Sequence, residues 1–215
     1  MAAAVAALKE AFGPRLRFVG LQGSYRRGEA TETSDIDLCV ILDRLDARDF
    51  PRLREVLDAL PEGEKAAGFV AGAPELAAWP RFELFAFAKD MDAWHGELAP
   101  LLPPVTEADI ALGVRTALAA LCHEATQALL LAPRLKAEAA ASARHSLAKS
   151  FLRALQGVIY LGSGIFPRDR AGALCRARED EAALLAGAEF LPLPEFAAAC
   201  RAWSAARLQE LPVQD

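Results

Sequence analysis

Residues 23–38 read Gly-Ser-Tyr-Arg-Arg-Gly-Glu-Ala-Thr-Glu-Thr-Ser-Asp-Ile-Asp-Leu. A Gly-Ser turn is followed, after ten residues, by two carboxylates, Asp35 and Asp37, that alternate with aliphatic residues. The flanking runs, Leu16 to Leu21 and Ile36 to Leu42, are short, apolar and rich in strand-forming residues, so the stretch is expected to link two strands of one sheet.

Side chains two apart on a strand share a face, which puts Asp35 and Asp37 about 7 Å apart at their bases and lets their tips converge. Ile36 and Leu38 then point to the opposite face and into a core, which fixes the register of the acids. Two carboxylates with an open side suit magnesium, which prefers a few protein oxygens plus substrate phosphate over an all-protein cage. Paired divalent ions about 4 Å apart are the arrangement used for in-line phosphoryl displacement. Gly23 lets the backbone approach a phosphate closely. Ser24 supplies a hydroxyl where a helix would begin and free N–H groups attract anions. Arg26 and Arg27 add positive charge, and arginine holds phosphate oxygens bidentately. A Gly-Ser dipeptide alone is a turn, as Gly162-Ser163 illustrates at the end of a helix with no acid pair after it. The combination and its order carry the reading.

The chain has 215 residues, a formal net charge of −5 and a sequence pI near 5.4, which argues against an extended nucleic-acid footprint. No apolar stretch reaches the roughly 18 residues that a membrane span needs, and the alanine-rich start, Met1 to Phe12, reads as a helix stopped by Gly13-Pro14 and not as a signal peptide. Cys39, Cys122, Cys175 and Cys200 show no ligand spacing, so buried thiols in a reducing cytoplasm are expected. His123-Glu124 lacks the second histidine of a zinc-protease helix, because Gln127 stands there.

Two textures divide the chain. Residues 14 to about 90 alternate strand and helix signals, with an amphipathic helix from Asp49 to Leu60, a weak strand near Gly68 to Ala71, and a stronger strand from Arg81 to Ala88. The proline-rich run Leu98 to Val105 is a natural boundary, giving domains over residues 1–98 and 105–215. The second domain is expected to be all helical. Thr106 and Asp109 form a capping-box-like start, followed by Ile110, Val114, Leu118, Leu121 and Ala125 at helical spacing. A second long helix spans about Leu135 to Leu161 with Leu147, Phe151, Leu155, Val158 and Ile159 on its apolar face. Shorter helices follow over Ala171 to Ala188 and Glu195 to Leu211.

Gly23-Ser24, Arg27-Gly28, Ala30-Thr31 and Ser34-Asp35-Ile36-Asp37-Leu38 resemble the signature of the DNA polymerase beta-like nucleotidyltransferase superfamily. Its small bacterial members, antibiotic nucleotidyltransferases and minimal nucleotidyltransferases paired with helical toxins, are the nearest in likeness. The resemblance implies an α/β (α+β) nucleotidyltransferase core with a small mixed sheet, followed by an all-α helical bundle. It implies transfer of a nucleoside monophosphate from a triphosphate, with ATP the expected donor, to a hydroxyl-bearing acceptor, and release of pyrophosphate. Gly23, Ser24 and Arg27 would contact the triphosphate. Asp35 and Asp37 would bind Mg2+, two ions during catalysis. The family supplies a third carboxylate from a later strand. Glu83 is chosen for it, as third metal ligand or as general base, because an acid within Phe82 to Phe87 makes little sense in an apolar strand. Asp90 and Glu75 are the substitutes.

The expected partners are a triphosphate and a small-molecule acceptor, without membrane or extended nucleic acid, and a homodimer is allowed. Two other functional classes stay open: a nucleotidyltransferase acting on a partner protein, as antitoxins do, and a nucleotide-binding module without turnover. His145, Lys149, Arg153, Gln156 and Tyr160 form a polar stripe along the second long helix. It is either a solvated face or a face that closes over the nucleotide, with Lys149 and Arg153 neutralising the departing pyrophosphate. In the second case Lys149→Ala raises the apparent nucleotide KM severalfold in steady-state kinetics, and unchanged kinetics leaves only the solvated face.

Overall fold

The computed structural model describes residues 1–32 and 34–211. The chain divides into two compact units, Met1–Val105 and Thr106–Asp215. In the first, β1 (Leu16–Leu21) and β2 (Ile36–Leu42) pair antiparallel, with Leu16 opposite Leu42 and Leu21 opposite Leu38. The other side of β1 pairs antiparallel with β5 (Asp92–His95), and β2 carries two short parallel partners, β3 (Ala66–Ala67) and β4 (Val70–Gly72). The sheet order is β3-β2-β1-β5, with β4 also on β2.

Both faces of this mixed sheet are covered, which explains why β1 and β2 read as nearly continuous apolar runs. On one face Leu38, Val40 and Leu42 pack with Leu8 and Phe12 of α1 (Ala2–Phe12) and with Leu53 and Leu57 of α3 (Asp49–Asp58). On the other, Phe18, Cys39 and Ile41 pack with Leu76 of α4 (Ala73–Ala77) and Leu84 of α5 (Arg81–Lys89). Between β1 and β2 lies a short helix, α2 (Gly23–Arg27).

The strand expected from Arg81 to Ala88 is therefore a correction: those residues form α5. Pro80 sits just ahead of the helix, and Leu84 and Phe87, three apart, both reach the same cluster. A single helical face satisfies that spacing, whereas a strand would send them to opposite sides. The indole of Trp79 bonds to Glu83 four residues on, at 2.7 Å, which also suits helical geometry. The sheet's fifth strand comes instead from the four residues Asp92–His95.

The second unit is helical. α6 (Glu107–Leu131) starts on the expected cap: the Thr106 hydroxyl accepts from the Asp109 N–H at 3.2 Å, and Asp109 accepts from the Thr106 N–H at 2.8 Å. Ile110, Val114, Leu118, Leu121 and Ala125 are all buried. α7 (Ala137–Ser163) buries Leu147, Phe151, Leu155 and Ile159. The single helix expected over Ala171 to Ala188 is two, α8 (Arg170–Leu174) and α9 (Glu179–Gly187), and α10 (Leu193–Glu210) closes the unit. Their shared core includes Phe151, Phe196 and Trp203. Among the described residues no helix is long and apolar enough to cross a membrane.

One ion pair ties the first unit together. The Arg15 guanidinium, at the entrance to β1, grips both oxygens of Asp49 at 2.8 Å and donates to the Arg44 carbonyl at 2.7 Å. Asp49 is the first residue of α3, is 4% exposed, and also accepts from the Asp46 N–H at 2.8 Å. Hydrogen bonding to Arg15 holds the Asp49 carboxyl at about 2, below its ordinary 3.8. A folded-state value lowered in this way contributes stability that is complete above about pH 4 and is lost as the pH falls toward 2. Arg15 is about one-third exposed, so Asp49→Asn is expected to cost about 2 kcal/mol at neutral pH, below the usual figure for breaking a fully buried pair. Urea unfolding at pH 7 and at pH 3 checks this: the gap between wild type and variant should shrink at the lower pH.

Candidate active site

The turn between β1 and α2 is fastened to β2 at the level of the acids. The Gln22 N–H donates to the Asp37 carbonyl at 3.0 Å, and the Gln22 side chain donates to the Phe87 carbonyl at 3.1 Å. Gly23 follows with φ +69°, a left-handed conformation that side chains resist. A Cβ built on Gly23 would collide with the carboxylate of Asp37. The acid thus rests directly on the glycine's Cα. Ser24 lies in the first turn of α2, half-buried, and its carbonyl accepts from the Glu29 N–H at 2.9 Å. Gly28, also left-handed at φ +69°, ends the helix.

The chain returns through a small turn in which the Ser34 hydroxyl accepts from the Thr31 N–H at 2.9 Å and the Ser34 N–H donates to the Thr31 carbonyl at 3.1 Å. That turn delivers Asp35, exposed, immediately before β2, and Asp37, half-buried, as the second residue of the strand. By strand alternation the two acids continue the stripe that Cys39 and Ile41 bury farther along. They occupy its open end. Burial pushes the neighbouring Cys39 thiol up to about 12, so it stays protonated and takes no part as a thiolate.

The carboxylate of Asp90, the residue after α5, also reaches the turn. One of its oxygens lies 3.5 Å from the Gly23 nitrogen. The Arg26 guanidinium, only 5% exposed, pairs with Asp90 at 2.8 Å and approaches Asp92 at 4.0 Å. Arg27 pairs with Glu29 at 2.8 Å and with Asp90 at 3.3 Å. Burial works to lower the Arg27 guanidinium, but its two carboxylate neighbours outweigh it and the balance is raised. Both arginines that follow the Gly-Ser turn are thus held in place by one acid from 63 or 64 residues downstream. Glycine 23 has Asp37 on one side and Asp90 on another.

Glu83 does not join this group. It is exposed on α5 and its carboxylate is engaged by the Trp79 indole. Among the described residues no three of His, Cys, Asp and Glu come together as a metal-holding group, so Asp35, Asp37 and Glu83 are not assembled as a triad. The reason is the helix: Glu83 was expected on a strand in line with the acids, and α5 is no part of the sheet. Lys149 and Arg153 are exposed on α7 of the second unit. Arg26 and Asp90 were readable as a basic residue and as a substitute acid. Their mutual pairing was not, because no local pattern announces a contact spanning 64 residues.

Residues 3–94 match the family model described as a nucleotidyltransferase domain. That match spans most of the N-terminal unit. None of the curated proteins compared matches the sequence. Among solved structures, the chain superposes on the spectinomycin adenyltransferase AAD(9) from Enterococcus faecialis, determined with ATP and spectinomycin, with a TM-score of 0.56 at 13% identity, covering 97% of each chain. A nucleotidyltransferase-like protein from Exiguobacterium sibiricum covers 97% of this chain and 74% of its own, with a TM-score of 0.38 and 14% identity. The first likeness extends the agreement in fold through the helical half as well as the sheet.

Since the Gly-Ser turn has no room for a side chain at its first position, Gly23→Ala is expected to cost about 1–3 kcal/mol through backbone strain alone and to push the Asp37 carboxylate aside. Urea unfolding measures the first effect. Mn2+ titration followed by water-proton relaxation measures the second, and weaker ion binding than wild type is the expected result.

Proposed function

We propose that this nucleotidyltransferase moves AMP from ATP to a hydroxyl of a small molecule and releases pyrophosphate. The observation that carries the proposal is the seating of the Asp37 carboxylate against Gly23, which joins the acid pair to the Gly-Ser turn in one corner. ATP and a small hydroxylated acceptor are favoured because the adenyltransferase of like fold was determined with ATP and spectinomycin.

The donor chemistry fits a divalent ion: Asp35, exposed, and Asp37, half-buried, are two carboxylates on one strand face, and magnesium prefers such oxygens together with substrate phosphate. Magnesium held there would offset negative charge on the triphosphate and on the attacking oxygen. Ser24 and the Gly23 backbone contact the phosphate chain. Arg27, and Arg26 behind it, present their positive charge to the same oxygens, and Asp90 is the positioning residue that holds both guanidiniums at the turn. Phosphoryl transfer of this kind depends on alignment and charge more than on covalent participation by the protein. The acceptor oxygen forms its bond to the α-phosphorus while its proton leaves to a carboxylate of the corner. The bond from the α-phosphorus to the bridging oxygen breaks, and pyrophosphate departs. Glu83, turned to solvent and bonded to Trp79, has no part in this scheme.

The four cysteines are free, which suits a reducing compartment such as the cytoplasm. Radiolabelled triphosphates offered with a panel of hydroxylated small molecules, spectinomycin included, test the reaction. Asp35→Asn and Asp37→Asn should each lower transfer by about 100-fold or more, with the unfolding midpoint unchanged. Asp90→Asn should raise the KM for ATP more than it lowers kcat, since it loosens the arginines and leaves the acid pair intact. Retention of full activity by Asp37→Asn would end the proposal.

A further inference from the structure

The helical unit contains a cavity of about 370 Å3 lined by Val158, Ile159, Gly162, Ser163, Ile165, Arg176, Arg178, Glu181 and Arg207. Its charged lining consists of three guanidiniums and one carboxylate. That carboxylate is fully used. Glu181 is 2% exposed and accepts from the Trp203 indole at 3.0 Å, from the Arg178 N–H at 3.1 Å, and from the Arg207 guanidinium. It serves as a fixed post that holds Arg207 in the wall, where Arg207 also lies over the Trp203 ring at 5.9 Å.

Held this way, Arg207 keeps a buried Nε–H that meets no acceptor among the described residues. Native interiors rarely leave such a donor unmatched. Arg176, from the segment between α8 and α9, donates to the Gly172 carbonyl at 3.3 Å. Opposite these donors stand the side chains of Val158, Ile159 and Ile165, the last 52% exposed although it is a large aliphatic. The volume falls in the range of small-molecule sites, which pair apolar walls with a few convergent polar groups.

We propose that this cavity is a binding site for an amphiphilic organic anion, a two-oxygen head group on a short apolar body. Arginine forks match a carboxylate or a phosphate monoester equally well. The head is held by Arg176 and by Arg178, which also pairs with the exposed Asp180 at 3.5 Å, and the body lies on Val158, Ile159 and Ile165. The site lies wholly within the helical unit and is independent of the reaction proposed above.

Titration of the full chain with octanoate and with octyl phosphate tests the proposal, with 1-octanol and inorganic phosphate as controls. The Trp203 indole N–H resonance is the reporter, since it donates to the same Glu181 that anchors Arg207. At least one of the two amphiphiles should shift it saturably, and the pair distinguishes a carboxylate from a phosphate source. Arg176→Glu should weaken that binding about tenfold, the loss expected for one charge-assisted hydrogen bond. Ile165→Asp, a change at an exposed position, should weaken it comparably if Arg176→Glu does not fold. Pyrophosphate release at the N-terminal unit should be unaffected by either variant. The proposal is overturned if neither amphiphile binds, if octanol or inorganic phosphate binds as tightly, or if the folded variants bind unchanged.

Discussion

Asp37 and Gly23 occupy each other's space. The carboxylate sits where a side chain on residue 23 would be, and the glycine's positive φ turns the chain sharply from β1 into α2. Remove either condition and the corner opens: with a Cβ the acid is displaced, and without the turn the Gln22 N–H no longer meets the Asp37 carbonyl. The antiparallel pairing of β1 with β2, from Leu16–Leu42 to Leu21–Leu38, is what delivers the two residues to one place. The apolar faces beneath, Leu38 with α1 and α3, Cys39 and Ile41 with α4 and α5, prevent a slip in register. A slip by one residue would carry both acids to the other face.

Where the sequence could be read, burial on both faces made it readable. β1 and β2 lie in the middle of the sheet, so their residues are apolar almost without interruption and their ends stand out. The long helices α6 and α7 repeat their buried residues at three and four, and Thr106 with Asp109 marks the entrance to the first. Failures came where the signal was short or distributed. Phe82 to Phe87 is an apolar run too brief for its period to decide, and only the packing of Leu84 and Phe87 on one cluster reveals a helix. β5 has four residues, two of them ionisable or polar and one a half-exposed tryptophan. No strand pattern survives in so short an edge. Reading α5 as a strand put Glu83 in line with the acid pair, whereas the structure places it exposed on a helix.

The arginines that follow the Gly-Ser turn show a different limit. Sequence gives their charge but not its balance. Arg26 is almost wholly buried against Asp90, and Arg27 divides itself between Asp90 and Glu29. A guanidinium fixed by a carboxylate loses part of its attraction for a second anion, yet it keeps its orientation and needs little reorganisation when a phosphate arrives. The geometry therefore trades some raw affinity for placement, which suits a reaction whose barrier depends on alignment of the α-phosphate.

The same device recurs in the helical unit with the proportions reversed. Glu181 anchors Arg207 as Asp90 anchors Arg26, through a buried carboxylate that is itself saturated with donors. At the turn, one acid restrains two arginines, and two more acids, Asp35 and Asp37, lie at the start of β2. In the cavity, one acid and three arginines line the wall, and Asp180 and Glu210 pair with two of those arginines from beside it. Paired acids beside fixed cations suit, on the function proposed above, a metal-bound polyphosphate. Arginines beside aliphatic walls suit, on the inference drawn above, an anion that brings its own hydrocarbon. The chain's acidic net charge predicts neither site, because each depends on how a few arginines are tethered and not on how many the molecule contains.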